Sequence, residues 1–108
     1  MSLDPFHPVG ARVEYARALL LADRVEEALA ELRVCATREP GYSFCFQYLA
    51  TAAMELGLAD EAREAVRQLL RIGPHWTVRN MDYLCCFRRP ADGERFRSAL
   101  RAAGLPEG

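Results

Sequence analysis

The sequence predicts an all-α protein of tandem helix–turn–helix repeats, closed by a C-terminal pair of capping helices. Three observations predict it. The chain is self-similar at a shift of 34 residues, apolar residues recur at helical spacing within each unit, and Gly or Pro falls where most of the helices should stop.

Aligning residues 9–42 with 43–76 places Ala16 on Ala50, Ala28 on Ala62 and Pro40 on Pro74, with no gap. Tyr15 then falls on Leu49, Leu32 on Val66, and Cys35 on Leu69. In the first unit, Asp23-Arg24-Val25-Glu26 has the form of a capping box, with Asp23 accepting backbone donors and Glu26 reaching back. Val25, Ala28, Leu29, Leu32 and Cys35 continue as an apolar stripe until Pro40-Gly41. In the second unit, Phe46, Leu49, Ala50, Ala53 and Leu56 make the first stripe, and Gly57 suits the left-handed position after it. Ala62, Ala65, Val66 and Leu69 make the next stripe, which Gly73-Pro74 ends. The paired alanines let the two helices of a hairpin approach closely, and a larger side chain there overpacks at about 1–3 kcal/mol.

The series Phe46, Leu49, Ala50, Gly57, Ala62, Val66, Leu69 and Pro74 resembles the tetratricopeptide repeat in residue type and spacing. That resemblance spans both units and implies hairpins stacked in a right-handed superhelix. The first unit departs from it at Arg12, where an aromatic is usual, and at Asp23, where Gly is usual. The expectation is a terminal, atypical first repeat.

Residues 1–8 read as an N-terminal arm and residues 77–108 as the cap. A short helix is expected from Thr77 to about Phe87, with Val78, Met81, Leu84 and Cys85 on one face, broken at Arg88-Arg89-Pro90. A last helix is expected from Pro90 or Asp92 to Ala103, with Phe96, Ala99, Leu100 and Ala103 as its stripe. Phe96 and Leu100 would hide the apolar face of the last repeat. Gly104-Leu105-Pro106 ends that helix. The endings Phe87-Arg88-Arg89-Pro90-Ala91-Asp92 and Ala103-Gly104-Leu105-Pro106-Glu107 resemble the C-termini of certain bacterial signalling proteins. In those, tetratricopeptide repeats follow a class III adenylate or guanylate cyclase domain or a winged-helix regulator domain. The implied parent carries such a domain elsewhere.

Composition excludes little beyond extremes. Half of the 108 residues are hydrophobic, about a quarter are charged, and net charge is −1, so no global field attracts nucleic acid or anionic membrane. Every basic residue is arginine, Ile72 is the only isoleucine and Asn80 the only asparagine, a bias expected of a GC-rich bacterial genome. Neither a signal peptide nor a spanning segment is legible, and a cytoplasmic location is expected. Met1-Ser2-Leu3 and Glu107-Gly108 are compatible with cloning scars, which would make the chain a piece of a longer protein.

The search for chemistry is short. Cys35, Cys45, Cys85 and Cys86 show no CxxC spacing and read as small buried apolar residues, with a disulfide or metal role as the alternative. His7 and His75 lack a neighbour at ligand or nucleophile–base spacing, and no nucleotide-binding or hydrolase motif occurs. No catalytic residue, metal or cofactor is therefore expected. Arg88, Arg89, Arg95, Arg97 and Arg101 form either a basic patch for phosphate or an acidic partner, or a solvated face paired with Asp92 and Glu94.

The resemblance implies a ligand groove lined by the first helix of each hairpin. By position the groove presents Val13, Arg17 and Leu20, then Phe44, Gln47, Tyr48 and Thr51, with Met81 and Asp82 from the third element. Such a mixed surface suits a peptide or partner domain with hydrophobic anchors. The alternative is that Phe44 and Tyr48 pack between helices. On the groove reading, Tyr48→Ala and Arg17→Ala weaken binding without unfolding the domain. The Lys and Asn with which some family members clamp a C-terminal carboxylate are replaced here by Val13 and Tyr48, which argues against a chaperone-tail receptor. The expected function is a non-catalytic protein–protein interaction scaffold. Self-association into a homodimer, joined by Phe6-His7-Pro8, is the alternative.

Overall fold

The structure is a computed structural model that describes residues 9–78 and 90–107. Regular structure among these residues is entirely helical: α1 (Val9–Leu21), α2 (Val25–Arg38), α3 (Ser43–Glu55), α4 (Ala59–Ile72) and α5 (Pro90–Ala102). The helix expected from Thr77 to Phe87 lies almost wholly outside the described residues.

Backbone detail recurs at the shift seen in the sequence. The bounds of α1 and α2 reappear 34 residues later as those of α3 and α4. At the first turn Arg24 N–H donates to the Leu19 carbonyl at 2.8 Å and Asp23 N–H to that of Leu20 at 3.0 Å. At the second, Leu58 donates to Ala53 at 2.8 Å and Gly57 to Met54 at 3.1 Å. These paired bonds are the Schellman closure, which satisfies the last carbonyls of a helix and needs one left-handed residue. Gly57 supplies it at φ 79° and Asp23 at φ 61°. Gly104, at φ 104°, closes α5 with the same two bonds, from Leu105 to Leu100 and from Gly104 to Arg101.

The capping box read at Asp23 is thereby corrected. Asp23 ends α1; α2 begins at Val25 after Arg24, and no side chain caps it. A left-handed residue cannot also take the extended backbone of an N-cap. Asp23 does the conformational work of the glycine usual at that position, at higher steric cost.

Each hairpin buries the stripes read from sequence. Ala28, Leu29, Leu32 and Cys35 of α2, and Ala62, Ala65, Val66 and Leu69 of α4, are buried. Ala16 and Ala50 are fully buried at the crossings. α1 packs on α2, α3 on α4, and α2 on α3, so the hairpins follow one another in a row. Arg12 bridges α1 to Glu31 of α2 at 2.9 Å, and Arg33 bridges α2 to Glu61 of α4 through two bonds at 2.7 and 2.8 Å. The Arg33 bond holds the Glu61 carboxyl below its ordinary range.

α3 is the central helix. Every residue from Cys45 to Ala53 is buried, because α1, α2, α4 and α5 all pack on it. No helix among the described residues is long and apolar enough to cross a membrane.

Candidate helix-binding face

Phe44, Gln47, Tyr48, Thr51 and Glu55 follow the 3–4 spacing of one helix face, so they form a single stripe on α3. α1 lies beside α3 and α5 packs on α3. The contacts of α5 place it on that stripe. The rings of Phe96 and Tyr48 meet edge-on, centroids 5.5 Å apart. One residue earlier, Arg95 donates to both carboxylate oxygens of Glu55 at the end of α3, with Nη2 at 2.6 Å from Oε1. The same guanidinium reaches Asp23 in the α1–α2 turn at 3.4 Å.

Phe96, Ala99 and Leu100 form the buried side of α5, and Ala103 and Leu105 extend it past the helix end. Val78 N–H donates to the Pro106 carbonyl at 2.8 Å, tying this end to the segment that leaves α4. Phe96 and Leu100 are thus buried, as their stripe predicts, and their seat includes a residue assigned to the groove.

Part of the groove lining lies beneath α5. Val13, Leu20, Gln47, Tyr48 and Thr51 are buried, Arg17 and Phe44 are half-buried, and Met81 and Asp82 lie outside the described residues. The last helix, expected to hide the apolar face of the last repeat, covers part of the groove. Tyr48, 3% exposed and packed on Phe96, is structural in this closed state, so Tyr48→Ala would destabilise the fold. Arg17 and Phe44 remain partly reachable. Arg17 pairs with Glu14 at 2.8 Å.

Burial pushes the Tyr48 phenol up to about 12, with the positive charge of Arg17 acting in the opposite direction. Gln47 is 0% exposed, and neither of its amide atoms has a hydrogen-bond partner among the described residues. A buried amide left unpaired costs about 1–3 kcal/mol. Beside it the Thr51 hydroxyl donates to the Gln47 carbonyl at 3.1 Å.

The arginines of α5 do not form an unpaired patch. Arg95 holds Glu55 and Asp23, Arg97 approaches Glu94 at 3.9 Å, and Arg101 meets Glu107 at 2.8 Å and Glu94 at 3.8 Å. Glu94 was expected among these partners; Glu55, Asp23 and Glu107 were not, because sequence does not show which elements meet. Arg88 and Arg89 lie outside the described residues.

Cys35 and Cys45 are buried, as read, and they are bonded to each other, with Cα atoms 5.9 Å apart. The bond staples α2 to α3 across the junction between hairpins. Their spacing of 10 residues on two inward-facing stripes was the available signal, but pairing needs the positions of both helices. Such bonds persist mainly in oxidising compartments. Cys85, Cys86 and His7 fall outside the described residues, and His75 lies against Trp76 with ring centroids 4.9 Å apart. Among the described residues no group of His, Cys, Asp and Glu is placed to hold a metal ion. The shallow open depression of about 400 Å³ at Gly57, Leu58, Ala59, Asp60 and Glu61 lies at the α3–α4 turn.

No protein-family model matches the chain, and no curated protein or solved structure is significantly similar to it.

Proposed function

We propose that this chain is a non-catalytic protein–protein interaction module of tetratricopeptide type, whose α1–α3 face recognises an amphipathic helix. One observation carries the reading: that face seats α5, with an aromatic anchor on Tyr48 and a guanidinium on Glu55. Helix-in-groove recognition uses this combination of spaced apolar anchors and a flanking charge. The exact 34-residue recurrence of helix bounds supports the repeat assignment. A place within a larger bacterial signalling protein follows from the resemblance of the chain ending.

The test is an NMR titration of the full chain with a peptide of residues 90–107 at up to millimolar concentration. Shifts centred on Arg17, Phe44 and Thr51 are expected, and Arg17→Ala should weaken them without lowering Tm. Shifts confined to α2 and α4 would sink the assignment.

A second reading, self-association, has its own observation. Tyr15, Ala18 and Leu21 of α1, with Ala22 just past its end, form an exposed and largely apolar face. At the shift of 34, Tyr15 and Ala18 correspond to Leu49 and Ala52, which α3 buries. A single helix face offers less than the roughly 800 Å² per partner of a stable interface, so the dimer would be weak. Sedimentation across a concentration series decides it, and a monomer throughout removes the idea.

A further inference from the structure

We infer that the α3 face selects a partner helix bearing arginine directly before an aromatic residue, with an aliphatic residue four positions after the aromatic, and that α5 occupies the seat in its absence. The inference rests on the helix-binding reading above and adds the chemistry of the partner and its competition with α5.

The argument begins with charge. Glu55 closes α3 and Asp23 sits in the α1–α2 turn, so two carboxylates from separate hairpins converge on one point. Arg95 fills that point, bidentate on Glu55. A planar guanidinium matches a carboxylate through two parallel bonds, which an ammonium cannot reproduce. The notch therefore selects arginine over lysine.

Register follows from the next residue. With Arg95 fixed on Glu55, Phe96 meets Tyr48, and Leu100 is buried one turn further on. An arginine–aromatic pair locks the helix in rotation and in axial position at once. A helix with the aromatic displaced by one residue would turn it about 100° away from Tyr48.

The closed arrangement also leaves a defect. Gln47, on the same stripe, is buried with both amide atoms unpaired among the described residues. Among the described residues the face is thus not fully satisfied with α5 in place, and an occupant that reaches Gln47 gains a bond that α5 does not supply. α5 competes from within the same chain, so its advantage is effective concentration. Weakening the Arg95–Glu55 pair should let a peptide compete.

The experiment uses the full chain and its Arg95→Glu variant. The probe is a fluorescein-labelled peptide of residues 90–107, together with its Arg95→Glu and Phe96→Ala forms. Binding is read by anisotropy, and docking of α5 by amide exchange with mass spectrometry. In the variant chain, α5 amides should exchange at least tenfold faster, and the unaltered peptide should bind at least tenfold tighter than to the parent. Both altered peptides should bind at least tenfold more weakly than the unaltered one. A second chain, Glu55→Arg, should reverse the preference and favour the Arg95→Glu peptide; it also serves if Arg95→Glu fails to fold.

Equal binding of the unaltered and Arg95→Glu peptides to the opened chain would overturn the arginine selection and leave the helix-binding reading intact. Unchanged α5 exchange in Arg95→Glu would overturn it too, since the pair would then not hold the seat. An opened chain that binds none of the peptides would overturn the helix-binding reading itself.

Discussion

The two hairpins share one backbone register and fill it with different chemistry. Helix bounds and turn hydrogen bonds coincide at a shift of 34, yet α1 leaves Tyr15 and Leu21 exposed, while α3 is buried from Cys45 to Ala53. Tyr15 is 48% exposed, and its counterpart Leu49 only 7%. Position in the row explains the contrast. α3 has the preceding hairpin on one side, its own partner α4 on another and α5 on its face, whereas no described helix precedes α1. The same slot in a repeat is therefore core or surface according to what stacks beside it.

The sharpest way to break this comparison is to truncate both members of one pair. Leu49→Ala should destabilise by about 2–5 kcal/mol, and Tyr15→Ala by less than about 0.5 kcal/mol. Urea unfolding checks both, and equal losses would mean that the outer face of α1 is also covered in solution.

The staple gives the next contrast. Cys35 bonds forward to Cys45. Its counterpart Leu69 packs as an ordinary core residue. Reduction, or Cys45→Ala, should remove about 2–3 kcal/mol by the loop-closure estimate for such a span. The loss is read by calorimetry with and without reductant, and an unchanged Tm would refute a structural role for the bond.

A third test uses pH on another slot. Tyr48 stands where repeat 1 has Glu14, and its phenol is raised to about 12 from 10.0. The unfolded chain ionises first, so this contribution is intact below pH 10 and declines as pH rises from 10 to 12. The total change is about 2–3 kcal/mol. Tyr48→Phe should flatten that alkaline decline, and a parallel decline in the variant would assign it to other groups.

The smallest effect concerns the turns. Gly57→Ala forces a β-carbon into a left-handed residue and should cost about 1–2 kcal/mol. Asp23→Gly should raise stability by about 0.5–1 kcal/mol, less what the exposed contact with Arg95 contributes. A loss on Asp23→Gly would show that the Asp23–Arg95 contact outweighs backbone relief.

Among the described residues, the sequence by itself determined the helices, most of their ends and their inward stripes. These follow from local terms: helical periodicity of apolar residues, alanine at close crossings, and glycine at left-handed closures such as Gly57 and Gly104. Asp23 was misassigned by the same local logic, because an aspartate before a helix satisfies the capping pattern and the left-handed demand alike. Only the backbone angle separates them. Which surfaces meet was decided by tertiary structure alone. The groove lining and the stripe of α5 were each legible, but nothing local states that Phe96 lies on Tyr48, that Arg95 closes on Glu55, or that Cys35 finds Cys45. Those pairings depend on the rigid placement of elements up to 48 residues apart in the chain. Packing selects that placement through the summed burial of whole faces, a quantity that no single window of sequence contains.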